Sequence, residues 1–348
     1  DDAVGASRRG DDSRGRCDVT VHAAATGRGQ LVAGVDIGGS KILAVALDGQ
    51  RIQRGDVRLP TSTGARGIVE SAVEAVERLA ALAGVQVSDF AVVGVGVPGL
   101  VQRDSGDVSH AVNLGVGGNG LRLGAELEAR LGVPIAVEND VNAAALGAAC
   151  ALGHPSDVDL AYLSIGTGLA AGLVAGGRVR HGARGAAGEI GHLPVDPAGP
   201  RCACGQRGCL ERLASGSAIA AAWPVAPGRS AAAELFAAAD AGDARALTVS
   251  RRVAGHIAAA VRLLVLTCDV ELVVLGGGVA DVGEPLRAAV SGALADQARN
   301  SPFLDALELP SRVAVVPAGT PVAAIGAALC GLLSSEADGE AGWAPVVP

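Results

Sequence analysis

A chain of 348 residues is long enough for two domains that each bury a core, and a composition of 49% hydrophobic and 18% charged residues is that of a globular protein. The formal net charge of −8 advertises no basic face for nucleic acid or an anionic membrane, so the expected partners are small molecules and the expected setting is cytoplasmic. The opening DDAVGASRRGDDSRGRC lacks the apolar core of a secretory signal, and residues 1–30 read as a disordered tail; the apolar stretch 253–280 is interrupted by His256, Arg262, Asp269 and Glu271 and does not read as a membrane span.

In chain order, LVAGVDIGGSKILAVALDG (31–49) sets two β-rich apolar runs around a glycine turn, the pattern of a hairpin, and RIQRGDVRLP extends it into a meander. GARGIVESAVEAVERLAALAG follows with apolar residues at helical spacing and a Gly84 stop. FAVVGVGVPG reads as a buried strand, LRLGAELEARLG as a helix, PIAVEN as a strand and DVNAAALGAACALG as a helix. From Asp159 the pattern starts again: DLAYLSIGTGLAAGLVAGGRV predicts strand, glycine turn, strand and a tight Gly176-Gly177 turn. Helices across 230–268, the strand ELVVLGGGVA, a helix beyond Gly283, the strand RVAVVPA and the helix PVAAIGAALCGLL complete the order. Its repetition predicts two similar α/β domains, whose ligands bind where strand ends face a cleft.

Seven cysteines is an odd number, and Cys17, Cys150, Cys268 and Cys330 are scattered singly, so a disulfide framework is not expected. Cys202, Cys204 and Cys209 differ in kind, because CACGQRGC packs thiols at ligand spacing on a glycine-rich knuckle. With His192 they make a Cys3His set, a common complement of a closed tetrahedral zinc site; the alternative is a reduced, metal-free loop.

Each glycine motif has a physical reading. DIGGSK turns tightly enough for backbone N–H groups to face outward toward a phosphate chain, although it is not a Walker loop, since no G-x-x-x-x-G-K-[ST] is present and a strand follows. IGTG (165–168) sits at the matching place in the second half and offers the Thr167 hydroxyl, and LGGGV (275–279) ends a strand where small residues let a flat adenine approach the backbone. Taken singly, each is equally well a plain turn. Asp140 closes a strand and opens an Ala-rich helix, so local sequence favours a helix N-cap; a carboxylate facing the cleft is also where a general base for a hydroxyl belongs.

The order DIGGSK, GVPG, VENDVNAAALG, IGTG, GEIGH with CACGQRGCLE, and LGGGV closely resembles the ROK family of bacterial sugar kinases, repressors and open reading frames, over roughly residues 31–333. The resemblance implies an actin/hexokinase-like fold, two ribonuclease-H-like α/β domains closing on ATP and a sugar. It divides the chain into an N-terminal domain over 31–140, joined by the C-terminal helix at about 320–334, a C-terminal domain over 141–319 with a zinc knuckle at 188–211, and a flexible tail over 335–348. It also implies that Asp140 is the catalytic base and that Gly99, Asn113, Asn139, Asp140 itself, Glu189, His192 and Glu211 hold the sugar. Asp36, Gly38, Gly39, Ser40, Lys41, Gly166, Thr167 and Gly168 match the phosphate and Mg2+ region, Gly277 and Gly278 the adenosine side, and His192, Cys202, Cys204 and Cys209 the ligands of a structural Zn2+. The expected reaction is ATP-dependent phosphorylation of a hexose, glucose to glucose 6-phosphate, in a homodimer or homotetramer.

Departures from the family pattern are few. Ser40 stands for the commoner threonine and keeps the hydroxyl, Val270 stands where a proline is frequent, and NLGVGGNG replaces an aromatic-containing loop on the sugar side. An amino sugar such as N-acetylmannosamine, N-acetylglucosamine or kanosamine is therefore the alternative acceptor. A sugar-responsive regulator of the same family is the alternative of another class, but it needs a winged-helix domain before the first phosphate strand, where about 30 residues stand, short of a domain. A non-catalytic sugar sensor would be expected to have lost Asp140 or the glycine loops, and both are present.

Overall fold

The computed structural model describes residues 31–154 and 157–337; the tail expected over 1–30 and the end of the chain beyond 337 lie outside the described residues. The first half runs β1 (Leu31–Ile37), β2 (Lys41–Leu47), β3 (Gln53–Pro60), α1 (Ala65–Ala83), β4 (Phe90–Val97), β5 (Leu100–Gln102), β6 (Asp107–Ser109), α2 (Leu123–Leu131), β7 (Ile135–Asn139) and α3 (Asp140–Ala151). The second runs β8 (Leu160–Ile165), β9 (Leu169–Ala175), β10 (Arg178–Val179), α4 (Glu211–Ala214), α5 (Gly216–Ala222), α6 (Ala231–Asp240), α7 (Ala244–Cys268), β11 (Leu272–Gly276), α8 (Glu284–Ala298), α9 (Pro302–Asp305), β12 (Val313–Val315) and α10 (Val322–Ala337).

Each half forms a five-stranded sheet, ordered β3-β2-β1-β4-β7 and β10-β9-β8-β11-β12. In both, the first three strands in sequence pair antiparallel and the next two add in parallel. The β1–β2 turn and the β8–β9 turn therefore occupy equivalent places, which puts DIGGSK and IGTG at corresponding strand ends. Chains of this plan are mixed α/β, as the repeated pattern in the sequence predicts.

The apolar runs of β1, β4 and β8 follow from burial on both faces. On the outer side of the first sheet, α1 packs Ile68, Val69, Val73, Val76 and Leu79 inward and stops at Gly84, whose φ of 72° only glycine adopts without strain. On the outer side of the second, α7 packs Val253, Ile257, Val261 and Leu264. Between the sheets lie α3 and α10, sharing one core with Val45, Leu47, Leu160, Tyr162 and Val274 from both. Small residues are required where they meet each other and the first sheet: a Cβ on Gly326 of α10 would fall 1.6 Å from the Ala143 carbonyl oxygen of α3, and one on Gly94 of β4 would fall 1.7 Å from that of Ala327.

Three local expectations change. A short β5–β6 hairpin intervenes where no strand was expected. α10 passes residue 334 and continues to Ala337, so residues 335–337, expected in a flexible tail, are helical; the Ser334 hydroxyl donates to the Cys330 carbonyl at 2.9 Å and is absorbed by the helix. The third concerns the start of α3 and bears on the site. No described helix is long and apolar enough to cross a membrane.

Candidate active site

The turn from β7 into α3 carries Glu138, Asn139 and Asp140. The N-cap is Asn139, not Asp140: the Asn139 Oδ1 accepts from the N–H groups of Val141 and Asn142 at 3.0 and 3.2 Å. Asn139 Nδ2 donates to the Gly99 carbonyl at 3.2 Å, which leaves one of its N–H groups for a ligand. Asp140 is the first helical residue, and its carboxylate accepts the Val141 N–H at 3.0 Å. Burial pushes the Asp140 carboxyl above the usual range, opposed by that N–H and reinforced by the charge of Glu189. Local sequence could not separate cap from base because both are short polar residues at one strand end.

A small cleft with a cavity volume of about 50 Å³ opens beside this turn, lined on one side by Gly99, Leu100, Asn139, Val141 and Asn142 and on the other by Gly185, Ala187 and Glu189. Gly99 is at φ 104°, and a Cβ there would fall 2.5 Å from the Ser109 carbonyl oxygen, so the chain must be glycine to turn at the cleft wall. Of the residues expected to hold sugar, Gly99, Asn139 and Glu189 line the cleft. Asn113 instead stands by the β1–β2 turn, its Cβ 3.3 Å from the Cβ position of Gly39. Glu211 reaches the other turn, where its Oε2 accepts the Leu169 N–H at 3.3 Å.

The turns expected to hold phosphate are built in detail. Gly38 N–H donates to the Lys41 carbonyl at 3.0 Å, and the Thr61 hydroxyl caps the Gly38 carbonyl at 2.7 Å, leaving Gly39 and Ser40 exposed. Asp36, at the end of β1, is raised to about 7 by burial and then by Asp140, with Lys41 pulling the other way. In the second turn Gly166 N–H donates to the Gly168 carbonyl at 3.1 Å, Gly216 N–H to the Gly166 carbonyl at 2.7 Å, and the Ser217 hydroxyl to the Thr167 carbonyl at 2.8 Å. Gly277 has φ 77°, its N–H donates to the Tyr162 hydroxyl at 3.1 Å, and a Cβ would meet Ile165 at 2.8 Å; a Cβ on Gly278 would meet nothing within 4 Å. Backbone therefore fixes one wall at Gly277 and open space remains at Gly278.

The four knuckle ligands converge. The donor atoms of His192, Cys202, Cys204 and Cys209 all lie within 4.8 Å of one another, with Cys202 Sγ 3.7 Å from His192 Nδ1 and Cys204 Sγ 3.7 Å from Cys209 Sγ. Tetrahedral bonds of about 2.3 Å from a central ion to sulfur require edges of this length, so the set fits zinc. Gln206 supplies backbone and side-chain N–H groups beside Cys204 that lower its thiol, while burial and the neighbouring thiols raise that of Cys209, so one thiol of the pair ionises ahead of the other. With Nδ1 turned to the thiols, His192 Nε2 faces Glu189, 4.0 Å from its Oε2. The knuckle also closes on β9: a Cβ on Gly188 would fall 1.7 Å from the Ala171 carbonyl oxygen and one on Gly191 1.9 Å from that of Leu169.

Several residues of the site escaped the sequence reading. Thr61, Ser217 and Tyr162 support the three glycine turns from distant positions. Glu138 is buried and accepts from Asn139 N–H at 2.9 Å, Asn142 Nδ2 at 3.0 Å and His181 Nε2 at 2.7 Å. Burial pushes Glu138 up, but the His181 hydrogen bond and charge, with the two Asn donors, outweigh it and hold the carboxyl low.

A glucokinase of Halalkalibacterium halodurans is 33% identical over 271 residues, 73% of this chain and 82% of its own length. An N-acetylmannosamine kinase of Escherichia coli is 33% identical over 248 residues, 70% of this chain and 82% of its own. A ROK family glucokinase from Streptomyces griseus, solved with glucose and AMPPNP, superposes with TM-score 0.71 at 29% identity, covering 87% of this chain and 99% of that one. The sequence pattern of the ROK family matches residues 32–329, so the chain belongs to the ROK family.

Proposed function

We propose that the protein transfers the γ-phosphoryl group of ATP to a hexose hydroxyl, glucose to glucose 6-phosphate, with Asp140 as general base. The observation that carries this reading is the division of labour at the start of α3. Asn139 takes over the helix cap, and Asp140 is left as a carboxylate that interacts electrostatically with both Asp36 on the phosphate side and Glu189 at the cleft. A raised carboxyl is the better proton acceptor, provided it is ionised at the working pH.

In this reading Asn139, Glu189 and His192 Nε2 hold sugar hydroxyls, with Gly99 shaping the wall. Glu211 is shared between the sugar and the β8–β9 turn. The backbone around Gly38–Ser40 and Gly166–Gly168, with Thr167 and Lys41, holds the phosphates, and Gly277 and Gly278 flank the adenosine. Asp36 is suited to a Mg2+ ion, because a buried carboxylate raised by the charge of a neighbouring carboxylate is relieved by a divalent cation; such an ion, bound with ATP, would supply charge neutralisation of the phosphate oxygens. The two sheets with their helices act as lobes over 31–140 plus α10 and over 141–319, whose closure keeps water from the phosphoryl group. ATP is a cytoplasmic co-substrate, and the reaction is placed there.

The test is ADP release with MgATP against glucose, mannose, N-acetylglucosamine, N-acetylmannosamine and kanosamine. A sugar-dependent rate with the highest kcat/KM on glucose is expected, and no rate with any of them removes the reading. An amino sugar is the second reading, supported by the small-residue wall of Ala170, Ala171, Gly185 and Ala187, which leaves room for a substituent, and by the likeness to N-acetylmannosamine kinase.

Zinc held by His192, Cys202, Cys204 and Cys209 would fix the loop that presents Glu189 and Glu211, and would orient His192 through Nδ1. Elemental analysis of protein purified without chelator is expected to find about one zinc per chain, lost in Cys202→Ser. A content near zero removes the metal.

A further inference from the structure

The cleft has two walls that come from different sheets. One is the β7–α3 turn, with Asn139, Val141 and Asn142; the other is the loop after β10, with Gly185, Ala187 and Glu189. Glu138 touches neither ligand space nor solvent, yet it holds both walls. Its Oε1 accepts the Asn139 N–H and the Asn142 side chain, so it fixes the two asparagines of the first wall. Its Oε2 accepts from His181 Nε2 at 2.7 Å, and His181 begins the second wall. The His181 carbonyl accepts the Ala187 N–H at 3.1 Å, which closes residues 181–187 into one turn leading directly to Gly188 and Glu189. Thus a single buried carboxylate spans 43 positions of sequence and joins the residue before Asn139 and Asp140 to the loop that ends at Glu189.

On the kinase reading above, we propose that Glu138 and His181 are positioning residues for phosphoryl transfer: their hydrogen bond holds the two cleft walls at a fixed separation and keeps Asp140 aimed at the acceptor hydroxyl. The energetic reason is that a buried carboxylate stays in one place only when its lone pairs are met, and breaking one partner leaves a charge that the turn must shift to satisfy. A displacement of the base by a fraction of an ångström is enough to lower the rate, because in-line attack depends on alignment. His181 is a donor at the right reach, so its role is separable from its bulk.

The experiment compares His181→Ala and His181→Gln with the parent, using glucose and MgATP. His181→Ala is expected to raise the glucose KM and lower kcat, each by about tenfold, about 1.4 kcal/mol apiece, with the ATP KM unchanged within about twofold. His181→Gln, which keeps an N–H donor, is expected to stay within about threefold of the parent, a loss of about 0.7 kcal/mol. Parent-like kinetics in His181→Ala overturn the proposal. So does equal damage in His181→Gln, which would make the side chain's shape the cause, and so does a matching rise in the ATP KM, which a general loosening of the fold would produce. Amide hydrogen exchange of the ligand-free protein gives a readout that does not depend on which sugar is phosphorylated. His181→Ala, and not His181→Gln, should speed exchange in peptides covering 139–142 and 182–189; unchanged exchange there overturns the proposal even if the parent were silent on glucose, whereas silence alone counts only against the kinase reading.

Discussion

Replacing Asp140 with Asn is expected to lower kcat by about 10²- to 10⁴-fold, the range for loss of a positioned general base, or about 2.7–5.4 kcal/mol of barrier. The glucose dissociation constant should change by less than about threefold, because the cleft-lining amide of Asn139 and the carboxylate of Glu189 are untouched. The variant keeps its fold for a visible reason. Asn139 caps α3, and an amide at position 140 still offers an oxygen to the Val141 N–H that Asp140 now accepts at 3.0 Å. The pH dependence follows from the same environment. Burial raises the Asp140 carboxyl, so its active, ionised form is lost as pH falls through a value above the ordinary 3.8, and the acid limb of kcat should lie there. Retention of activity within about tenfold, a barrier change of only about 1.4 kcal/mol, would take the base role from Asp140. Single-turnover measurement with glucose and MgATP, alongside equilibrium glucose binding, gives both numbers.

What could be read from the chain was what local spacing controls. The hairpin around Gly38 and Gly39 and its partner around Gly166–Gly168 are adjacent-strand features, so two apolar runs and a glycine turn suffice. The His192, Cys202, Cys204 and Cys209 cluster was visible for the same reason, since His192 to Cys209 is one short loop. The helix cap was misjudged between Asp140 and Asn139 because the two differ by one position and both side chains suit a cap; only the backbone direction at the end of β7 separates them. The short β5–β6 hairpin left little apolar pattern to detect, as Leu100 and Gln102 face outward. The remaining site contacts have no local signature. Glu138 meets His181 43 positions on, Leu169 meets Glu211 42 positions on, and Gly277 meets Tyr162 115 positions back. The first of these joins the two halves, which α3 and α10 hold together, and the other two join elements of the second half that only the finished sheet brings side by side; the glycines that permit the close packing look in sequence like any others.

Asp36 yields the second large effect, and here stability and activity are expected to move in opposite directions. Its carboxyl is raised from 3.8 to about 7, first by burial and then by the charge of Asp140, with Lys41 only partly compensating. Between those two values the folded protein holds a proton that the unfolded chain releases, so stability falls as pH rises through the window, and the penalty is complete above about pH 7. A rise of that size corresponds to at most about 4 kcal/mol, less whatever the site recovers by relaxing or admitting water. Asp36→Asn removes the charge and keeps the shape. Without Mg2+ or nucleotide, the variant should therefore resist urea better than the parent at pH 8, by about 1–4 kcal/mol, with the gap closing as pH is lowered toward 4. Its turnover should fall by at least about 100-fold, about 2.7 kcal/mol, since the carboxylate suited to the metal at the phosphate side is gone. Saturating Mg2+ and ATP should narrow the stability gap at pH 8 by binding to the parent alone, because a ligand that prefers one folded form stabilises that form by mass action. Urea midpoints at pH 4.5, 6 and 8 measure the first effect. An Asp36→Asn variant that is less stable at pH 8, or whose advantage is the same at every pH, would show that the buried carboxylate is not the source of the strain.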